Sequence, residues 1–212
     1  MRDDAMTPPI VCLPSDALVV LVGITGAGKT TFARRRFSST QILSSDRFRA
    51  MLTDSENDMV SSREAFRLLH DVLNYRLLRR LLTLVDATNT LDFARKDLLA
   101  IAACHDVPAV AFVLDVPYSI CVERTMRRAD RPFGEEVVLQ HYAEFQAAMK
   151  TIRQEGFQKV HILHGIDEIE QTEIQISPSQ QGVVVPAEPD VCEGLFPLSF
   201  TAPAPPEALG AG

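Results

Sequence analysis

Metal-type and disulfide-type cysteine patterns are missing from this 212-residue chain. Its four cysteines, at 12, 104, 121 and 192, form no CxxC pair and fit no zinc-module spacing. Free thiols in a reducing compartment are the reading that follows. Long apolar runs are also missing. ALVVLVGI (17–24) and PAVAFVLDV (108–116) fall far short of the about 20 residues a bilayer-crossing helix needs, so no membrane segment is expected. The start, MRDDAMTPPI, is acidic and Pro-containing, unlike a secretion signal. Together these absences point to a cytoplasmic protein. Positive charge is absent from one part of the chain: residues 161–212 hold no Lys or Arg but 8 acidic residues, whereas residues 1–160 hold all 21 basic residues and 20 acidic ones. The net charge of −7 therefore belongs mainly to the C-terminal stretch and neither promotes nor excludes a nucleic-acid ligand for the rest. No [NT]KxD motif is present, which argues against a GTPase.

What is present alternates. Apolar runs at 17–23, 40–45, 81–87, 108–116 and 158–163 read as strands, and residues 29–37, 62–80, 92–105, 117–128 and 135–153 read as helices. Near-continuous apolar strands between helices predict an α/β domain, a parallel sheet covered on both faces. Ligands in such sheets bind beyond the carboxyl ends of the strands. The length suits one domain with a tail. The expected boundaries are a flexible N-terminus over 1–14, a folded domain over 15–165, and a Pro-rich acidic tail over 166–212, largely disordered. Within the tail, VCEGLFPLSF (191–200) reads either as an uninvolved linker or as a docking segment for a protein partner.

Gly23-Ile24-Thr25-Gly26-Ala27-Gly28-Lys29-Thr30 fills every fixed position of GxxxxGK[ST], with a strand before it and a helix after it. Glycines let the backbone wrap a phosphate with N–H groups inward, and the following helix, opened by Lys29, Thr30 and Thr31, adds its positive end. Lys29 can reach the β- and γ-phosphates and Thr30 can place its hydroxyl on Mg²⁺.

Three further stretches narrow the chemistry. VDATN (85–89) ends a strand with Asp86, where a carboxylate would hold Mg²⁺. The next residue is Ala87 rather than a water-activating Glu, which argues for transfer to a bound acceptor. Thr88, Asn89 or Thr90 could equally cap the next helix. SSDRFR (44–49) places Asp46 across the cleft from the γ-phosphate, able to take the proton of an attacking hydroxyl, with Arg49 one turn on to hold an anion. A helix N-cap and a surface arginine explain the same residues. ERTMRRADRPFG (123–134) packs Arg124, Arg127, Arg128 and Arg131 into eight residues, a lid that could neutralise transition-state charge, or a solvated basic face. The histidines at 70, 105, 161 and 164 lack a metal-ligand set and read as structural.

The set GITGAGKTT, SSDRFR, VDATN and ERTMRRADRP, over residues 15–163, resembles the kinase module of bacterial polynucleotide kinase–phosphatase repair enzymes, among the P-loop 5′-hydroxyl polynucleotide kinases. The resemblance implies a P-loop NTPase fold of the nucleoside/polynucleotide kinase kind with an arginine-bearing lid. It implies ATP- and Mg²⁺-dependent phosphorylation of a 5′-OH RNA or DNA end. On it, residues 23–31 bind the nucleotide, Lys29 aids catalysis, and Thr30 and Asp86 serve the metal. Asp46 looks like the general base, Arg49 like the contact to the acceptor's 3′ phosphate, and Arg124 and Arg131 like the lid arginines; Arg95 falls in a matching segment without a clear role. The sequence carries no DxDxT phosphatase motif. A kinase of a small metabolite or nucleotide, and a non-catalytic ATP-binding adaptor, are the alternatives.

Overall fold

A computed structural model describes residues 10–128 and 134–179. The elements follow the order β1 (Ile10–Pro14), β2 (Leu18–Val22), α1 (Lys29–Arg36), β3 (Ile42–Ser44), α2 (Ser45–Thr53), α3 (Ser62–Leu78), β4 (Thr83–Asp86), α4 (Asp92–Cys104), β5 (Ala109–Asp115), α5 (Tyr118–Met126), α6 (Glu135–Thr151), β6 (Lys159–His164), α7 (Gly165–Gln171) and β7 (Glu173–Ser177). A 3₁₀ turn, Met59–Ser61, leads into α3.

Five strands form one parallel sheet in the order β3-β4-β2-β5-β6. Every residue of β2 and β4 is buried, as expected of central strands covered on both faces. From β2 the chain runs out to β3 and returns through β4, then crosses to β5 on the other side. The order therefore reverses at β2, and the loop after β2 opens into the crevice at that switch point. The core is one cluster of Val, Leu, Ile and Phe from the sheet and the facing stripes of the helices, with Phe32 of α1 packed on Phe112 of β5.

The expected strands and helices of the middle region appear, but the domain extends further at both ends. Residues 10–14 and 173–177, assigned by sequence to a flexible N-terminus and a disordered tail, pair in parallel as a second, two-stranded sheet. Leu13 of β1 is fully buried and joins the main core cluster. Between the sheets, α7 is held by Arg36, whose guanidinium donates to the carbonyls of Ile169, Glu170 and Thr172 and lies 4.2 Å over the Phe32 ring. Local pattern missed these elements because each is short and each is stabilised by a partner far along the chain. Among the described residues Cys12 and Cys121 are free thiols. Among the described residues no helix is long and apolar enough to cross a membrane. The docking segment 191–200 and Arg131 lie outside the described residues.

Candidate active site

The loop from Gly23 to Gly28 leaves β2 and turns into α1 through two left-handed glycines, Gly26 at φ 86° and Gly28 at φ 92°. Gly26 is required on a second ground. A Cβ there would collide with the Cys121 carbonyl oxygen and lie 2.9 Å from the Cys121 Cα. The loop thus presses directly on the backbone of α5, a close approach only glycine permits. One turn along α5, Arg124 comes to the same loop, its Nη1 donating to the Gly26 carbonyl at 3.5 Å.

Lys29 opens α1, and its ammonium donates to the carbonyls of Gly23 and Ile24, both at 2.8 Å. It therefore sits inside the curl of the loop. The Thr30 hydroxyl donates to Asp86 Oδ2 at 2.8 Å, joining the first turn of α1 to the end of β4. Asp86 is 4% exposed. Burial pushes its carboxyl above the ordinary carboxylate range, against the opposing pull of Lys29 and the Thr30 hydrogen bond. Two hard oxygen donors beside a phosphate-shaped loop suit Mg²⁺, which takes few protein oxygens and completes its shell with phosphate and water. Among the described residues no group of three or more His, Cys, Asp or Glu could hold a metal ion.

Asp46 lies in the first turn of α2, where the helix dipole favours an anion, and the N-cap is Ser44. The N-cap alternative for Asp46 is thereby replaced. Its carboxylate pairs with Arg49, one turn on. Arg49 is 5% exposed rather than a surface residue, and its Nε donates to the Glu56 carbonyl at 2.8 Å. Burial lowers the pKa of its guanidinium, opposed by the charges of Glu56 and Asp58. Capping by the residues after Asp86 is also absent. Leu91 occupies the N-cap position of α4 without a side-chain capping bond, while the Asn89 side chain donates to the Leu21 carbonyl and the Thr90 hydroxyl to Glu144. Arg95, 1% exposed, grips Glu155 with two 2.6 Å bonds and donates its third nitrogen to the carbonyls of Asn89 and Thr90. Its task is to fix the segment that follows Asp86.

A cavity of about 960 Å³ brings together the phosphate loop, Asp86, Asp46, Arg49, Arg124 and Arg128. It reaches the 3₁₀ turn, where Val60 is 90% exposed, so this end opens to solvent. Arg127 instead pairs with Glu123 on the surface. His141 and Glu144 of α6 line the cavity too, and the sequence reading passed over both. The signal was there: Val138, Phe145 and Ala148 mark the buried stripe of α6, and His141 falls on that stripe. His161 stacks on Phe112 and His164 pairs with Asp115 at 3.0 Å, so both make packing contacts.

Sheet order, phosphate loop and the Thr30–Asp86 junction together define a P-loop kinase-like domain, a fold that implies nucleotide binding. The chain belongs to the AAA domain family, whose model matches residues 18–152. No curated protein sequence matches it. Among solved structures it is similar to a chain of the Pnkp1/Rnl/Hen1 RNA repair complex, with a TM-score of 0.53 and 22% identity over 70% of this chain and 47% of that one. This chain thus spans about half the length of that relative. Chaetomium thermophilum Kti12, solved with ADP-AlF3, aligns with a TM-score of 0.53 at 15% identity over 73% of this chain and 94% of that one. A candidate kinase from Chloroflexus aurantiacus gives 0.51 at 14% identity over 73% and 91%. At these identities the likeness is one of fold.

Proposed function

We propose that this protein is an ATP-dependent kinase that transfers the γ-phosphoryl group to the 5′-OH end of a polynucleotide. The observation that carries the reading is one cavity lined both by a phosphate loop, with Lys29, Thr30 and Asp86, and by a carboxylate in an arginine's grip, Asp46 with Arg49. A hydrolase needs no second set of this kind; a kinase needs it to hold the acceptor. The open end beside Val60 favours a chain that continues out of the site over a small enclosed metabolite. The RNA repair complex that shares the fold makes RNA ends the first acceptor to try.

In the proposed reaction the acceptor hydroxyl attacks the γ-phosphorus, its proton passes to Asp46, and ADP leaves from the opposite side. Arg49 orients the Asp46 carboxylate and adds positive charge for the acceptor's next phosphate. Lys29 leaves its loop carbonyls to follow the β- and γ-phosphates, while Arg124, with Arg131, neutralises charge that builds on the transferring group. Thr30 and Asp86 would hold Mg²⁺, which supplies further charge neutralisation when bound. The test is transfer of labelled γ-phosphate to short 5′-OH RNA and DNA oligonucleotides. Label on the 5′ end, nearly abolished in Asp46→Asn while ATP still binds, supports the reading. Full transfer in that variant removes Asp46 as base, and absence of transfer with ATP bound moves the acceptor to small hydroxyl compounds.

A further inference from the structure

The helix α6 touches both loops of the candidate site through polar side chains one turn apart. His141 Nδ1 lies 3.0 Å from the Thr25 hydroxyl, in the middle of the phosphate loop. Glu144 accepts from the Thr90 hydroxyl at 2.6 Å, in the segment after Asp86, and is itself steadied by Gln140 at 3.1 Å. An imidazole on the buried stripe of a helix is costly without a polar partner. Here the partner is a residue set between two anchored carbonyls: the Ile24 carbonyl, in the peptide just before Thr25, accepts from Lys29, and the Gly26 carbonyl, one peptide beyond the one after Thr25, accepts from Arg124. Anchoring the Thr25 side chain therefore restrains the peptide planes between those two carbonyls. Those planes decide whether the loop's N–H groups face a phosphate. Thr25 is 7% exposed, so its hydroxyl has little recourse to water if the imidazole is removed. Burial lowers the pKa of His141 and Lys29 does the same, against Glu144, so the ring is held neutral and can share a hydrogen with the hydroxyl in either direction.

We propose that His141 is a positioning residue for the nucleotide: its bond to Thr25 holds the phosphate loop in its phosphate-receiving shape, while Glu144 ties the same helix to the segment after Asp86. The inference rests on the nucleotide-site reading of that loop but not on the identity of the acceptor.

The experiment is ATP affinity by titration calorimetry with Mg²⁺ and no acceptor, on the full chain. His141→Phe keeps a ring without the bond, Thr25→Val keeps the shape without the hydroxyl, and the double variant closes the cycle. Each single variant is expected to weaken ATP about five- to tenfold, the reach of one hydrogen bond. The double variant should be no weaker than either single one, and His141→Asn, which returns a polar atom near the Nδ1 position, should recover to within about twofold. Unchanged affinity in the single variants, or effects that multiply in the double, overturns the proposal. A ring that merely fills space would lower thermal stability without coupling to Thr25. If His141→Phe fails to fold, unchanged affinity in Thr25→Val alone overturns it. A wild-type chain that binds no ATP overturns the nucleotide-site reading itself.

Discussion

Replacing Arg95 by Met isolates the ion pair that anchors the segment after Asp86. Arg95 and Glu155 have side chains only 1% and 8% exposed. Met keeps most of the stem volume and removes the charge. Four contacts vanish: the two bonds to Glu155 and those to the carbonyls of Asn89 and Thr90. Glu155 is left buried with only the Thr151 hydroxyl, at 2.6 Å, among its described side-chain donors. Breaking a buried pair in this way costs about 3–5 kcal/mol, a large share of the 5–15 kcal/mol typical of a whole domain. Arg95→Met should therefore lower the urea midpoint sharply. The double variant Arg95→Met with Glu155→Leu removes the stranded carboxylate and should regain most of that loss, ending within about 2 kcal/mol of wild type.

The pH dependence sharpens the test. In wild type, burial works against the Glu155 charge, but hydrogen bonds from Arg95 and Thr151 hold its carboxyl below the ordinary value. A depressed carboxyl stabilises the fold above its unfolded pKa, and that contribution is lost as pH falls through the folded pKa. Without Arg95, burial dominates and the sign reverses: the variant should gain stability relative to wild type as pH falls toward 4. Urea unfolding at pH 7.5 and 4.5 reads both effects. A loss under about 1 kcal/mol at pH 7.5, or a variant whose deficit does not shrink on acidification, would refute the buried-pair reasoning.

Gly26→Ala should destabilise by about 3 kcal/mol or more and abolish ATP binding, since the methyl meets the α5 backbone and φ is 86°; near-normal thermal melting would contradict that close approach. Thr30→Val should weaken Mg²⁺-dependent ATP binding at least tenfold while Thr30→Ser preserves it, because Ser retains the hydroxyl that reaches Asp86; equal affinity of the two variants would remove Thr30 from the metal's shell. Burial holds His70 at a pKa of about 4. The unfolded chain therefore binds a proton before the folded one, and stability present above pH 6.5 is lost as pH falls toward 4, by roughly 3 kcal/mol at most. His70→Gln should flatten that part of the unfolding profile, and an unchanged slope would assign the loss to other groups.

Much of this fold follows from local pattern because it is local. Buried parallel strands are apolar at nearly every position, so β2 (18–22) and β5 (109–115) stand out, and a left-handed glycine loop between strand and helix has few other uses. Tertiary context supplied what the pattern could not. From spacing alone Arg49 reads equally as an anion contact or a surface residue; the fold buries it because Asp46 and the Glu56 carbonyl accept its donors. Arg95 sits in a charged ARK triplet, and only the fold reveals Glu155, sixty positions away, as its counter-ion. His141 has no motif around it; its partner lies 116 positions earlier.

The pairing of β1 with β7 sets an order of events in biosynthesis. Partners such as Cys12 and Gln175 are 163 positions apart in the chain. At ribosomal rates of about 5–20 residues per second, the first strand waits on the order of 10–30 s before its partner exists. The five-stranded sheet, whose last strand ends at His164, can be complete by then. Through that interval β1 lacks its ladder partner and gains it only when β7 arrives. The small sheet thus acts as a late fastening, and the nascent chain has a window in which its first strand is open to chaperones or to the edge strands of other chains.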